Sequence, residues 1–205
     1  MSNSTAPTAP SRVVRTHKPK GKLTKHNYRK RAITPLLADF ESRCAYSMKH
    51  LQNADGVTQM EIDHFDPRLK TRYLQRYSNL FLATGHCNRM KGSNWPSPED
   101  QARGIRFLDC CKERDYGEHI FEDPDTHEVF GVTSAGKYHV TILDLNAADL
   151  VLERKMRSEM IEALGATQAT LRPGQNFEEL RHVLALMQED LKFKIPEIPF
   201  SKRAT

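Results

Sequence analysis

The chain has 205 residues, 38% of them hydrophobic and spread along most of its length, which excludes a wholly disordered protein and suits one folded body. Its formal charge of +5 and pI near 9.0 favour contact with a polyanion. With no run near the ~20 apolar residues of a membrane helix, no apolar secretory leader and no Cys-x-x-Cys pair, a soluble cytoplasmic protein with reduced thiols is expected.

Residues 1–32 open with Ser, Thr, Ala and Pro, then run through Lys18, Lys20, Lys22, Lys25, Arg29, Lys30 and Arg31 with few apolar positions. A flexible basic arm is expected there, acting either as a solvated tail or as a tracker of phosphates whose affinity salt removes. Thr34-Pro35 reads as an N-cap with proline at the first helical position, leading a short helix with Leu36, Leu37 and Phe40 on its apolar face. Asn53-Ala-Asp55-Gly56 is turn chemistry. Val57, Met60, Ile62 and Phe65, set amid polar residues, suit a short strand ending at Asp63 and His64. Residues 66–78 look irregular, Asn79 to Ala83 is apolar, and Cys87 to Lys91 follows as a short helix, giving the order strand, loop, helix.

Beyond Pro98, residues 118–121, 128–132 and 137–143 alternate or carry β-branched side chains between turn sequences, the pattern of a small antiparallel β-meander. A helix capped by Asn146 and closed by Gly165 should bury a stripe of Leu152, Met156, Met160 and Leu164. A second, opened by Asn176 and Glu179, aligns Leu180, Val183, Leu184, Met187 and Leu191. Residues 194–199 read as an extended strap. The organisation expected is α+β: a basic arm (1–32), a central module (33–100) and an accessory β-meander with two helices (101–205).

The chemistry is concentrated in Asp63-His64, Asn79 and His86-Cys87-Asn88 with Lys91, all inside about thirty residues. Phosphodiester hydrolysis needs a water, a neutral imidazole to take its proton, and positive charge where negative charge develops on phosphate. A histidine titrates in the right range. A hard divalent ion accepts carboxylate and amide oxygens while keeping its waters, so Asp63 and Asn88 form a sufficient pair of protein ligands. Taken singly, each of these residues has a commoner structural use: Asn79 as a turn or cap residue, His86 and Cys87 as packed or surface positions.

Order and spacing change that balance. The runs Cys44-Ala-Tyr-Ser47, Asp63-His64-Phe-Asp-Pro67, Asn79-Leu80 and Cys87-Asn88-Arg-Met-Lys91-Gly92 together resemble the HNH nuclease family. That resemblance implies a ββα-metal module in which His64 is the general base and Asn79 braces the loop and orients it. It further implies that Asp63 and Asn88 hold Mg²⁺ or Mn²⁺, and that Lys91 meets phosphate with Arg89, Arg68 and Lys70 beside it. Family members commonly carry a structural zinc on two Cys-x-x-Cys knuckles, whereas Ser47 and Thr84 stand where two of the thiols would lie. Cys44 and Cys87 are half a site, so zinc is either absent, the expectation here, or recruits from His50, His86, Cys110 and Cys111.

Trp95-Pro96, the β-meander and the Leu145-Asn146 helix start also resemble HNH proteins of anti-phage defence systems such as Septu and some retrons. This implies an ATPase partner. The function expected is a metal-dependent endonuclease acting on DNA. An RNase of the same chemistry and a non-catalytic nucleic-acid-binding adaptor are the alternatives.

Overall fold

Alternation of apolar residues in the middle of the chain produces an antiparallel hairpin, β1 (Met60–His64) with β2 (Leu80–Thr84). Ile62 stands opposite Leu82, Asp63 opposite Phe81 and His64 opposite Leu80. Every residue of β2 is buried, because helices cover both faces of the pair. The computed structural model describes residues 8–54, 59–70, 75–170 and 191–199, and the chain is mixed α and β. Thr84 ends β2 and at once caps α2 (Gly85–Lys91), its hydroxyl accepting the Cys87 N–H, so strand passes into helix with no intervening loop.

Helix α1 (Tyr28–Asp39) starts six residues before Thr34, with Pro35 inside it. The expected start at Thr34-Pro35 is therefore corrected. Tyr28, Ala32 and Leu36 recur at four-residue spacing and are all buried, and this apolar stripe outweighs the one backbone hydrogen bond that Pro35 cannot make.

The segment expected to be a free arm is, from residue 8 onward, tied at several points to the rest of the chain while most of its side chains stay exposed. Arg15 does most of this: its guanidinium donates to the carbonyls of Tyr77 (3.0 Å) and Leu80 (2.8 Å) and lies about 5 Å from the rings of Phe40, Tyr77 and Phe81. Asp39 fixes the next turn, accepting the backbone N–H groups of Thr16 (3.0 Å) and His17 (2.9 Å) and the hydroxyl of Tyr77 (2.7 Å). Burial alone would raise the Asp39 carboxyl, but these hydrogen bonds outweigh it and hold it below the usual carboxylate range. Leu23 and Tyr28 then enter the core.

After α3 (Pro98–Ala102) comes a second hairpin, β3 (Ile120–Glu122) with β4 (Val129–Gly131). The expected third strand of the meander is instead a helix, α4 (Ser134–Ile142). Thr133 caps it through the Gly136 N–H (3.0 Å), and Ala135 and His139, four apart, are buried, so helical spacing prevails over the β-branched Val140, Thr141 and Ile142. Residues 194–199 do form a strap: the backbones of Pro196 and Ile198 bond Glu122 along the edge of β3.

Helix α5 (Ala148–Thr170) passes through Gly165. Asn146 is not its cap; its amide binds both backbone groups of Val129, at 2.8 and 3.0 Å. The expected buried stripe is also corrected. Leu152, Met156 and Met160 are 56%, 52% and 37% exposed, because Arg154, bonded to the carbonyls of His127 and Leu145, turns a different face inward. Of that stripe only Leu164 is buried. The second expected helix lies outside the described residues, apart from Leu191. Among the described residues no helix is long and apolar enough to cross a membrane.

α4 rests on the second hairpin because two glycines let the backbones touch. A Cβ on Gly131 would lie 2.0 Å from the Lys137 nitrogen, and one on Gly136 would lie 2.3 Å from the His119 carbonyl oxygen. Gly131→Ala should therefore destabilise the protein by at least the ~1–3 kcal/mol of an overpacked core. Gly165→Ala, in a helix with open space around it, should stabilise by about 0.4–1 kcal/mol. Urea unfolding of the two variants checks both signs, and equal midpoints would refute the packing described.

Candidate active site

Successive residues of a strand point to opposite faces, so Asp63 and His64 leave β1 in different directions. Asp63 faces α2 and the aromatic core. Its Oδ2 accepts a short hydrogen bond from the Tyr46 hydroxyl and lies 2.9 Å from the Lys91 ammonium, which also reaches Oδ1 at 3.2 Å and the His64 carbonyl at 3.0 Å. The Lys91 side chain has no exposed surface, and the Phe107 ring centre is 5.6 Å from its nitrogen. Lys91 is thus a buried counter-ion and not the surface phosphate contact that was expected; its four-carbon stem carries the charge inward from the last turn of α2.

His64 faces α1. Its ring meets the edge of Tyr28, centroids 5.3 Å apart, and Nε2 makes a short hydrogen bond with the side-chain oxygen of Gln75. With that oxygen as acceptor, Nε2 carries the proton and Nδ1 is left as the basic nitrogen. Burial lowers the His64 pKa, and the positive charges of Lys70 and Lys91 add to that effect against the opposing Gln75 bond, so the ring is neutral near neutral pH. Asn79 closes the loop that follows: its amide accepts from the Asp66 N–H (2.8 Å) and donates to the Asp66 carbonyl (3.0 Å), while its own carbonyl takes the Phe65 N–H. This clamp sits one residue beyond His64 and holds the end of β1.

On the α2 side, Asn88 is half-buried and donates its amide N–H to Glu61, which precedes Asp63 on the same strand face. Its amide oxygen is then available as an acceptor. Arg89 is exposed beside it. Arg68 is bound to Asp66 (2.8 Å) and stacks over Trp95 at 5.0 Å, and Lys70 is exposed nearby. The structure therefore brings Asp63, Asn88 and Glu61 to one seam between β1 and α2, while His64 leaves the same strand toward α1 and Asn79 clamps the turn that follows it. Tyr46, Gln75 and Glu61 were missed as site residues. Only Glu61 left a signal, its two-residue spacing from Asp63 on a strand.

Residues 44, 47, 84 and 87 do converge. The Thr84 N–H and hydroxyl lie 3.3 and 3.7 Å from the Cys44 sulfur, and Cys87 and Ser47 also hydrogen-bond it. Burial raises the Cys44 thiol, but these bonds outweigh it and bring the pKa well below the ordinary thiol value, while Cys87, bonding to Cys44, is pushed up. Two thiols, a serine and a threonine make a poor zinc tetrad. The other expected recruits are engaged elsewhere: the His50 ring with the Gln52 N–H, His86 with the Asp144 carbonyl, and Cys111 with Arg15. Cys110 is buried, with Cys111 its nearest thiol partner. Among the described residues no three His, Cys, Asp or Glu side chains cluster as a metal site.

Comparison with family models, with curated proteins and with solved structures gave no match.

Removing one member of a buried ion pair leaves the other charged and unsolvated, at a cost of about 3–5 kcal/mol. Lys91→Met should show that loss, and adding Asp63→Asn to it should recover most of it. A double-mutant cycle on chemical denaturation measures the coupling, and strict additivity would contradict the pairing.

Proposed function

We propose that this chain is a metal-dependent endonuclease of the HNH type that hydrolyses phosphodiester bonds in DNA. The observation that supports this best is His64, a neutral imidazole with one nitrogen tied to Gln75 and the other without a partner among the described residues, next along β1 to Asp63 of the seam of hard oxygen donors. A carboxylate offers about four acceptor sites, and the contacts of Lys91 and Tyr46 take three of those on Asp63, leaving one. With the free oxygen of Asn88 and the carboxylate of Glu61, the donor set fits a hard divalent ion such as Mg²⁺ or Mn²⁺, which would polarise the scissile phosphate when bound.

The protein's own part is positional. His64 Nδ1 accepts a proton as the water oxygen bonds to phosphorus, and the phosphorus–oxygen bond to the departing sugar breaks, its oxygen taking a proton from solvent. Gln75 keeps the ring in the tautomer with Nε2 protonated, and the Asn79 clamp keeps the end of β1 from swinging. The exposed guanidinium of Arg89 supplies positive charge at the seam, where charge builds on phosphate.

His64→Ala should cut the cleavage rate of plasmid DNA about a hundredfold to ten-thousandfold while the protein still folds. Wild-type activity should require Mg²⁺ or Mn²⁺ and vanish in EDTA. Cleavage of RNA but not DNA would reassign the substrate; binding without cleavage would favour an adaptor.

The base works only when neutral, so activity falls as pH drops through its pKa, which lies below the ordinary 6.5. The acid limb of the pH–rate profile should accordingly fall below pH 6.5 and move upward in Lys70→Gln, because one positive charge near the ring is removed. A limb at or above 6.5 in the wild type would contradict a buried neutral base.

A further inference from the structure

Residues 17–31 carry seven lysines and arginines, two histidines and no acid. Lys18, Lys20, Lys22, Lys25, Arg29, Lys30 and Arg31 are all exposed, and among the described residues none of them has a carboxylate within ion-pair distance. The nearest acid on α1, Asp39, is already saturated by Thr16, His17 and Tyr77. This positive charge has a shaped surface. A shallow groove of about 750 Å³ runs between residues 17–21 and the flank of α1, with Pro35 and Ala38 as part of its wall and His17, Lys18, Lys20 and Arg31 along it. Arg31 is held in place there by donating to the Lys20 carbonyl at 3.2 Å.

The segment that forms the groove also reaches the candidate active site. Leu23, within the same segment, accepts the Gln75 N–H at 3.0 Å, and Tyr28, at the start of α1, touches the His64 ring. From Tyr28 to Pro35 the helix advances roughly 10 Å at ~1.5 Å per residue. That is about three steps of one DNA strand at ~3.4 Å each.

We propose that residues 17–31 and the adjoining flank of α1 form a phosphate-binding rail that holds a nucleic-acid backbone beside the cleavage site by charge, without reading its sequence. The proposal rests on the nuclease reading for its ligand. The chemistry on the rail is that of a polyphosphate chain: ammonium and guanidinium groups spaced along an extended backbone, few acids to repel it, and, among the residues lining the groove, no aromatic shelf for unstacked bases.

The test uses the full-length chain with His64→Ala in EDTA, so that binding is measured without cutting, and a fluorescent 24-base-pair DNA duplex as probe. Lys18→Gln with Lys20→Gln is compared with Lys137→Gln plus Lys155→Gln, which removes the same charge from exposed positions elsewhere. The rail predicts that the first pair weakens binding roughly tenfold or more near 0.1 M salt. It also predicts a fall of about 1.8 in the slope of log affinity against log salt, ~0.9 for each phosphate that is no longer neutralised. Circular dichroism confirms that both pairs fold.

Equal losses in the two pairs would make this a net-charge effect and overturn the rail, as would preference for anionic vesicles or an acidic peptide over the duplex. The nuclease reading fails separately. If wild-type protein binds DNA through the groove but cuts neither DNA nor RNA with any metal, the rail stands and catalysis falls. If wild type cuts DNA and the Lys18/Lys20 pair leaves KM unchanged, the reverse holds.

Discussion

The pair between Asp63 and Lys91 is the constraint on which the rest of the module turns. It places a full charge of each sign in a region walled by Tyr46, Phe81 and Phe107, where desolvating either ion costs several kcal/mol and only close mutual contact offsets it. The geometry must therefore be kept. Asp63 is fixed inward, Lys91 holds the last turn of α2 against β1, and the pleat of the strand leaves His64 pointing the other way, toward α1. A shift of one residue in the register of β1 would turn the carboxylate toward α1 and the imidazole toward Lys91, leaving the buried ammonium without its counter-ion. The ion pair thus selects the one register in which the basic histidine sits at the edge of the module beside the loop clamped by Asn79.

The same constraint extends into the later half of the chain. Tyr46, which donates to Asp63, has its own carbonyl bonded by the hydroxyl of Tyr116 at 2.7 Å. Tyr116 lies in the turn that leads into β3, and the Glu113 and His119 around it pack toward α4. A polar line therefore runs from Asp63 through Tyr46 to Tyr116 and the second hairpin, buried along its length and with each of these donors matched to an acceptor. Buried polar lines of this kind are unforgiving, because an unmatched member costs its full desolvation. That explains why the accessory region is integral to the module: it supplies a partner that the Tyr46 carbonyl would otherwise lack.

How much of this could be read from sequence depended on whether the deciding interaction was local. The β1–loop–α2 order was legible because its signals are near neighbours: alternating Met60 and Ile62, the apolar run at Leu80, and Cys87 to Lys91. Asn79 was singled out by its place in the ordered run of motifs, and its hydrogen bonds to Asp66 make it the clamp of the loop. The start of α1 was misplaced because proline is at home in a first turn, and nothing local showed that Tyr28 and Ala32 would find the hairpin. α4 was read as a strand from Val140, Thr141 and Ile142, although its buried set, Ala135, Gly136 and His139, is helical and becomes decisive only against the second hairpin. Lys91 was read as a surface contact because a lysine's usual place is in water. Its partners, Asp63 and the His64 carbonyl, are 28 and 27 positions away, and no local pattern announces such a pairing. Gln75 was invisible for the same reason.

Residues 44, 47, 84 and 87 converge at the joint between β2 and α2. A zinc at positions 44, 47, 84 and 87 would lock the 44–47 turn to the joint between β2 and α2, with a binding energy of roughly 10–16 kcal/mol typical of structural sites. Here the lock is made of hydrogen bonds: Thr84 and Ser47 to the Cys44 sulfur, Thr84 to the Cys87 N–H, and the Ala45 N–H to the Leu82 carbonyl at 2.8 Å. At a net of about 1 kcal/mol each, these fall well short of a metal. Buried contacts from outside the joint add to them. Arg15 clamps the far edge of β2, Tyr116 ties down Tyr46, and Trp95 and Phe107 extend the aromatic core toward α4. The segments before and after the module thus add buried contacts to a joint whose own hydrogen bonds are few.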